Sequence, residues 1–221
     1  MAARRHYFDG CAAAHALDLV GERWALLVAR ELILGPKRFT DLRAGITHAS
    51  PNVLAQRLRE LEEAGIVRRR KLPPPASTQV YELTEWGLEL EPVLQALGRF
   101  GSRSPSMPRE GDTGTDTLIL AMRTMFDAEL AADVEASFQL DLGGEPFRVR
   151  VAGGELHAER GTAEDPDATI AVAKASDLGA VIFGGRPLAD ALDSGDVRIE
   201  GDRKAVERLI GVFPLPEPVA A

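Results

Sequence analysis

Three polar side chains, Asn52, Gln56 and Arg59, fall on one face of a helical repeat, and four consecutive cations, Arg68, Arg69, Arg70 and Lys71, follow shortly after. Asparagine and glutamine can pair bidentately with adenine, and arginine with guanine, so the first group suits base edges in a DNA major groove. The second group suits phosphates, which supply affinity and salt dependence but little sequence information. Arg57 lies on the flank of the same repeat, better aimed at phosphate than at a base. The same residues also fit a plainer reading, a solvated helix face followed by a hairpin that cations and prolines protect from edge pairing.

The elements that must hold these groups are legible around them. Ser50 is a good N-cap, and Pro51 follows at the first helical position, where its missing N–H is harmless and its φ already helical. At 100° per residue Leu54, Leu58 and Leu61 form one apolar stripe, opposite Asn52, Gln56, Arg59 and Glu63, and Gly65 ends the helix. IVRRRKL, the turn-prone PPPAST and the alternating QVYEL then read as two antiparallel strands with a proline-stiffened tip. A short helix, a turn, a capped helix and a basic hairpin make a winged helix-turn-helix, with the second helix as the reading element.

Upstream, two helical patterns split at Gly21, and Trp24, Leu27, Val28 and Leu32 form the apolar stripe of the second. Downstream, Thr84 should cap one long amphipathic helix carrying Leu88, Val93, Leu94 and Leu97 despite Pro92. A helix left over once a small head has covered its core commonly mediates dimerisation. SRSPSMPREGDTG then reads as a linker, so the expected domains are 1–101, a linker over 102–114, and 115–221. In the last of these, FQLDLGG, PFRVRVAGG and ELHAERG are three strands joined by Gly-Gly turns. ATIAVA and DVRIEG supply two more, with helices between and after. The expected fold class is therefore α+β in two domains, the second a five-stranded antiparallel sheet covered by helices.

Charge divides the same way. Of the 221 residues, 1–105 carry 15 Lys+Arg against 12 Asp+Glu, a net of +3; the remainder carry 11 against 22, a net of −11. Only the field at the contact face matters for phosphate neutralisation, so the acidic half should face away from DNA. The single Cys11 excludes an internal disulfide and fits a reducing cytoplasm. The opening MAARRHYFDG has cations with no apolar run behind it, so neither a signal peptide nor a membrane span is expected. The histidines, His6, His15, His48 and His157, have no metal-ligand spacing, so no metal or cofactor is expected. A Gly-rich phosphate loop and a nucleophile elbow are absent too, which argues against an enzyme.

Residues 11–101 resemble the HxlR-type winged-helix regulators, a branch close to the MarR proteins. The resemblance rests on Cys11, GERWALLVARELILGPKRF at 21–39, LAQRLRELEEAGIV at 54–67 and VYELTEWGLEL at 80–90. It implies a cytoplasmic, prokaryotic-type transcription factor acting as a homodimer on double-stranded DNA. Arg38 is then a backbone contact ahead of the reading helix, with Ser50, Gln56, Arg57 and Arg59 within it. Asn52 stands where the family often has Lys, and the LPPPAST tip is longer than the usual wing. Some family members sense oxidants through a cysteine near the first helix; Cys11 matches that position, with His15 one turn on, while the plainer reading is a small residue packed at the dimer seam.

Residues 116–213 are similar to sterol-carrier-protein-type lipid-binding domains, chiefly through LADALDSGDVRIEGDRKAVERLIGVF at 188–213. That resemblance implies an apolar small-molecule effector in a tunnel that Met122, Phe126, Phe138, Val181, Ile182 and Phe183 could line; ordinary core is the alternative for each. The expected function is a homodimeric regulator, a repressor, whose second domain senses an apolar ligand. The competing reading is a lipid carrier or adaptor that uses the winged head for protein interaction.

Overall fold

The structure is a computed structural model and describes residues 6–108 and 113–220. Residues 109–112 of the expected linker, and residues 1–5 of the opening segment, lie outside the described residues. The chain forms two compact units, one running to Leu94 and the other from Gln95.

The first unit holds α1 (Ala12–Val20), α2 (Ala25–Leu32), α3 (Phe39–Gly45), α4 (Pro51–Glu63), the hairpin β1 (Val67–Lys71) and β2 (Gln79–Leu83), α5 (Glu85–Leu88) and the start of α6 (Leu90–Ser102). Its core is aliphatic: Val28 and Leu32 of α2 and Leu42 of α3 are buried with Leu54, Leu58 and Leu61 of α4, which is the stripe expected from the helical period. Where one long helix was expected from Thr84, there are two. Thr84 caps α5, its Oγ1 accepting the Gly87 N–H at 3.0 Å, and the chain turns at Glu89 before α6. Pro92 accounts for the break, because it has no N–H to offer the carbonyl of Leu88 and its ring crowds that position.

Gln95 to Ser102 of α6 pack with the second unit. Arg99 donates its Nε–H to the Thr124 carbonyl at 2.8 Å, and a Cβ on Gly98 would lie 3.3 Å from the Thr124 methyl, so this end of the helix sits close against its neighbour. That neighbour is α7 (Thr115–Met125), and β3 (Ala136–Leu142), β4 (Glu145–Ala152), β5 (Glu155–Arg160), β6 (Ala168–Val172), α8 (Ala175–Ile182), α9 (Leu188–Asp193), β7 (Val197–Gly201) and α10 (Arg203–Gly211) follow.

The sheet order is β5-β4-β3-β6-β7. The two expected Gly-Gly turns are present, with Gly143, Gly144, Gly153 and Gly154 all at positive φ, the conformation a tight hairpin needs at both central positions. The expected all-antiparallel pairing is corrected at one place, since β6 runs parallel to β3. After β5 the chain passes to the far side of β3 instead of turning back beside β5. Asp167 pins the arrival, its N–H donating to the Ser137 carbonyl at 2.9 Å and its carboxylate accepting the Ser137 N–H at 2.7 Å. Strand β3 alternates buried and half-buried residues along its length, and α7, α8 and α10 supply apolar side chains to the same core.

Candidate nucleic-acid interface

Helix α4 begins as its sequence dictates, with the Ser50 hydroxyl accepting the Val53 N–H at 3.4 Å and Pro51 in the first turn. Ser50 therefore spends its side chain on the cap. On the face away from the leucines, Asn52 and Arg59 are exposed, and Arg59 has no ion pair among the described residues. Gln56 is half-buried and donates its side-chain amide to Glu60 at 3.0 Å. Arg57 is folded back onto the protein: its side chain is 12% exposed, bonded to Glu60, with Glu22 at 3.7 Å. Asn52 and Arg59 are thus the base-reading candidates ready for use, while Gln56 and Arg57 would first have to leave Glu60.

The hairpin sorts its cations by strand alternation. Arg68 and Arg70 share one face and the carboxylate of Glu82, with Arg68 Nε at 2.8 Å and Arg70 Nε at 2.9 Å. The two guanidiniums hold the Glu82 carboxyl below the usual carboxylate range, Arg70 by the larger hydrogen bond. Arg69 points to the other face, where it grips Glu62 of α4 through both Nε and Nη2 at 2.7–3.0 Å and lies 5.7 Å from the Tyr81 ring centre. This pair ties the wing to the reading helix. Lys71 is exposed and unpaired among the described residues.

Ahead of α3, Arg38 is exposed, and its backbone N–H donates to the Asp41 carboxylate at 3.1 Å. Its side chain joins Phe39, Thr40, Thr78, Gln79 and Tyr81 around an open depression of about 420 Å³. Lys37, the preceding residue, exchanges both backbone hydrogen bonds with Tyr81, so the segment before α3 extends the wing sheet by one bridge. Beneath it lies Glu31, 3% exposed, accepting from Lys37 Nζ at 2.7 Å and from Arg30 Nη2 at 2.8 Å. Burial alone would raise the Glu31 carboxyl, but the charge and hydrogen bond of Lys37, followed by those of Arg30, outweigh it and hold it low.

In the second unit Met122 and Phe138 are fully buried and Val181 and Ile182 nearly so, all in the core between sheet and helices. Phe126 and Phe183 are half-buried, and both rings pack on Phe213, at 6.2 and 6.3 Å. Cys11 is exposed at the N-terminus of α1, where the backbone N–H groups of Ala14 and then Ala13 draw its thiol below the ordinary cysteine value. Among the described residues no group of three or more His, Cys, Asp or Glu could hold a metal ion, and no helix is long and apolar enough to cross a membrane.

The HxlR-like helix-turn-helix family matches residues 19–107, and the alkyl sulfatase C-terminal family matches residues 113–219. The uncharacterized HTH-type transcriptional regulator sll1512 of Synechocystis is 38% identical over 92 residues, 42% of this chain and 68% of the relative. The HTH-type transcriptional regulator YodB of Bacillus subtilis is 42% identical over 82 residues, 37% of this chain and 73% of the relative. The solved structure of reduced YodB is 36% identical and covers 43% of this chain and 95% of that one, with a TM-score of 0.39. The chain belongs to the HxlR-like helix-turn-helix family. It is accordingly a DNA-binding transcriptional regulator.

Within this HxlR-like head, the groups that sequence reasoning missed are the carboxylates. Glu31, Glu60, Glu62 and Glu82 decide where the cations stand, and two of them carry a sequence signal: Glu60 lies three residues after Arg57 on one helix, and the hairpin register, once drawn, puts Glu82 directly opposite Arg68. In the second unit the missed residue is Phe213, whose place just past the end of α10 in GVF gives no hint of the ring cluster it centres.

Proposed function

We propose that the protein is a cytoplasmic, homodimeric repressor that reads its operator with Asn52 and Arg59 of α4 and grips flanking phosphates with Arg38 and the wing. The observation that carries this reading is the exposed, unpaired Arg59 on the same face as the exposed Asn52, two turns away, on a capped helix whose other face is buried, next to a cation-rich hairpin. The dimer is argued from α6, where Val93, Leu97 and Phe100 recur at helical spacing and all face solvent, Phe100 at 81% exposure. Leu17 of α1 is exposed as well. Such a stripe is costly in water, and a second copy of the same helix is a self-complementary cover for it. In the second unit, Phe126 and Phe183 are half-buried against the buried Phe213, apolar rings partly open to solvent that support the sterol-carrier-protein-type reading and an apolar effector.

The test is footprinting on genomic fragments retained by the purified protein, with its mass in solution measured by light scattering. A dimer should protect an inverted repeat with half-site centres about 34–36 Å apart or a multiple of that. A protected site without dyad symmetry, or a monomer on DNA, refutes the dimeric reading. Uptake of an apolar probe by protein that retains no DNA would favour the carrier reading instead.

A further inference from the structure

The wing holds a carboxylate where phosphate binding would favour none. Glu82 faces Arg68 across the hairpin, and Arg70 is its diagonal neighbour on the same face. Each carboxylate oxygen is taken, Oε1 by Arg68 Nε at 2.8 Å and Oε2 by Arg70 through Nε at 2.9 Å and Nη2 at 2.8 Å. The Glu82 side chain is 12% exposed, against 64% for that of Arg68 and 45% for that of Arg70.

Each such cross-strand pair contributes about 0.2–1 kcal/mol to holding the two strands together. A carboxylate gripped by two arginines does something more. It reduces two positive charges to a net of one at the surface, and it fixes both stems in one arrangement. Unpaired arginines on flexible stems would follow the phosphates of any duplex, and that sequence-independent grip is the part of DNA binding that every competing genomic site shares.

We propose that Glu82 is a specificity-determining residue: by holding Arg68 and Arg70 as a half-neutralised fork, it limits the hold of the wing on DNA of arbitrary sequence. The proposal rests on the reading of the head as a DNA-binding module whose hairpin meets phosphates. Glu82 acts through the two arginines and does not itself touch DNA.

The test uses full-length protein and two labelled duplexes of equal length, the tightest-binding fragment selected from genomic DNA and a scrambled version of it. Glu82→Gln keeps an acceptor oxygen and the side-chain shape but removes the charge. Affinity for the scrambled duplex should rise about three- to tenfold at low salt, and its logarithmic salt slope should steepen by about 0.9 for each phosphate newly engaged. Affinity for the selected fragment should rise less, so the ratio between the two falls. In a protein that already carries Arg68→Gln and Arg70→Gln, adding Glu82→Gln should give a clearly smaller gain, the part due to removing a bare negative charge. A role confined to hairpin stability would lower both affinities together, and that outcome, no change for the scrambled duplex, or a gain that is as large without the two arginines each overturns the proposal. Wild-type protein that binds neither duplex overturns this proposal and the DNA reading together, whereas wild-type binding without the Glu82→Gln gain overturns this proposal alone.

Discussion

Glu31→Ala removes the centre of a buried ion triad, and the expected cost follows from its surroundings. The carboxylate is almost fully covered, while the side chains of its partners Lys37 and Arg30 are partly open to water. Deleting one partner of a buried pair typically costs about 3–5 kcal/mol, because the charges left behind stay desolvated. Partial access of water to Lys37 and Arg30 places this site near the low end, about 3 kcal/mol. For a head of this size that corresponds to a fall of about 12–24 °C in melting temperature. Glu31→Gln, which keeps an acceptor but loses charge assistance, should cost roughly half as much. Both tryptophans, Trp24 and Trp86, lie in the first unit, so their fluorescence during urea unfolding reports on the head alone. The pH dependence adds a second handle. The folded carboxyl is held below its unfolded value, so its contribution is present above the unfolded pKa, about 4.3, and is lost as pH falls through the folded value. The gap between wild type and Glu31→Gln should therefore be full at pH 7 and close as the pH drops below about 4. A cost for Glu31→Ala under about 0.5 kcal/mol, the range of an ordinary surface substitution, would refute the reasoning. So would a gap that persists unchanged under acid.

Three other outcomes are expected. Arg59→Ala should lose about 1–3 kcal/mol of discrimination at particular base pairs in a panel of operator variants, whereas Lys71→Ala should weaken all sequences alike; identical profiles for the two would remove the division between reading helix and wing. Mild oxidant should link two chains through Cys11 and change operator affinity, both effects disappearing in Cys11→Ser, with intermolecular disulfide read on non-reducing gels and an inert thiol leaving Cys11 a packing residue. Deleting 115–221 should leave a folded, DNA-binding head that no longer responds to apolar probes, but exposing Gly98 and Arg99 by removal of Thr124 should fray the end of α6 and weaken self-association relative to full-length protein, a loss measurable by analytical ultracentrifugation.

What could be read in the sequence was whatever is set by near neighbours. The Ser50-Pro51 start of α4, its leucine stripe and the two Gly-Gly hairpins depend on residues a few positions apart, and they stand where their local chemistry puts them. The helical wheel separated a packing face from a polar one, and the i,i+3 spacing of Arg57 and Glu60 was open to it, yet it could not say that Glu22 would stand near Arg57, because Glu22 arrives from outside the helix. The parallel pairing of β6 with β3 was equally hidden. Strand order along the chain carries no record of which edge a returning segment will reach, and the contact that fixes it joins Asp167 to Ser137, thirty residues earlier.

The same distinction governs the charge of the interface. By composition the reading helix and wing offer Arg57, Arg59, Arg68, Arg69, Arg70 and Lys71 to DNA, but four of these already hold carboxylates of the same unit. Arg59 and Lys71, with Arg38 ahead of α3, are left without an ion pair among the described residues. Surface pairs of this kind are worth only about 0–1 kcal/mol, so phosphates can draw the arginines away at small cost. On the proposed reading those pairs would act less as stabilisers than as a small cost on binding that is indifferent to sequence, while an unpaired Arg59 would meet a base with nothing to release. A protein with a net charge of −8 can be a selective DNA ligand on these terms, since selectivity requires that the sequence-independent part of the attraction stay modest.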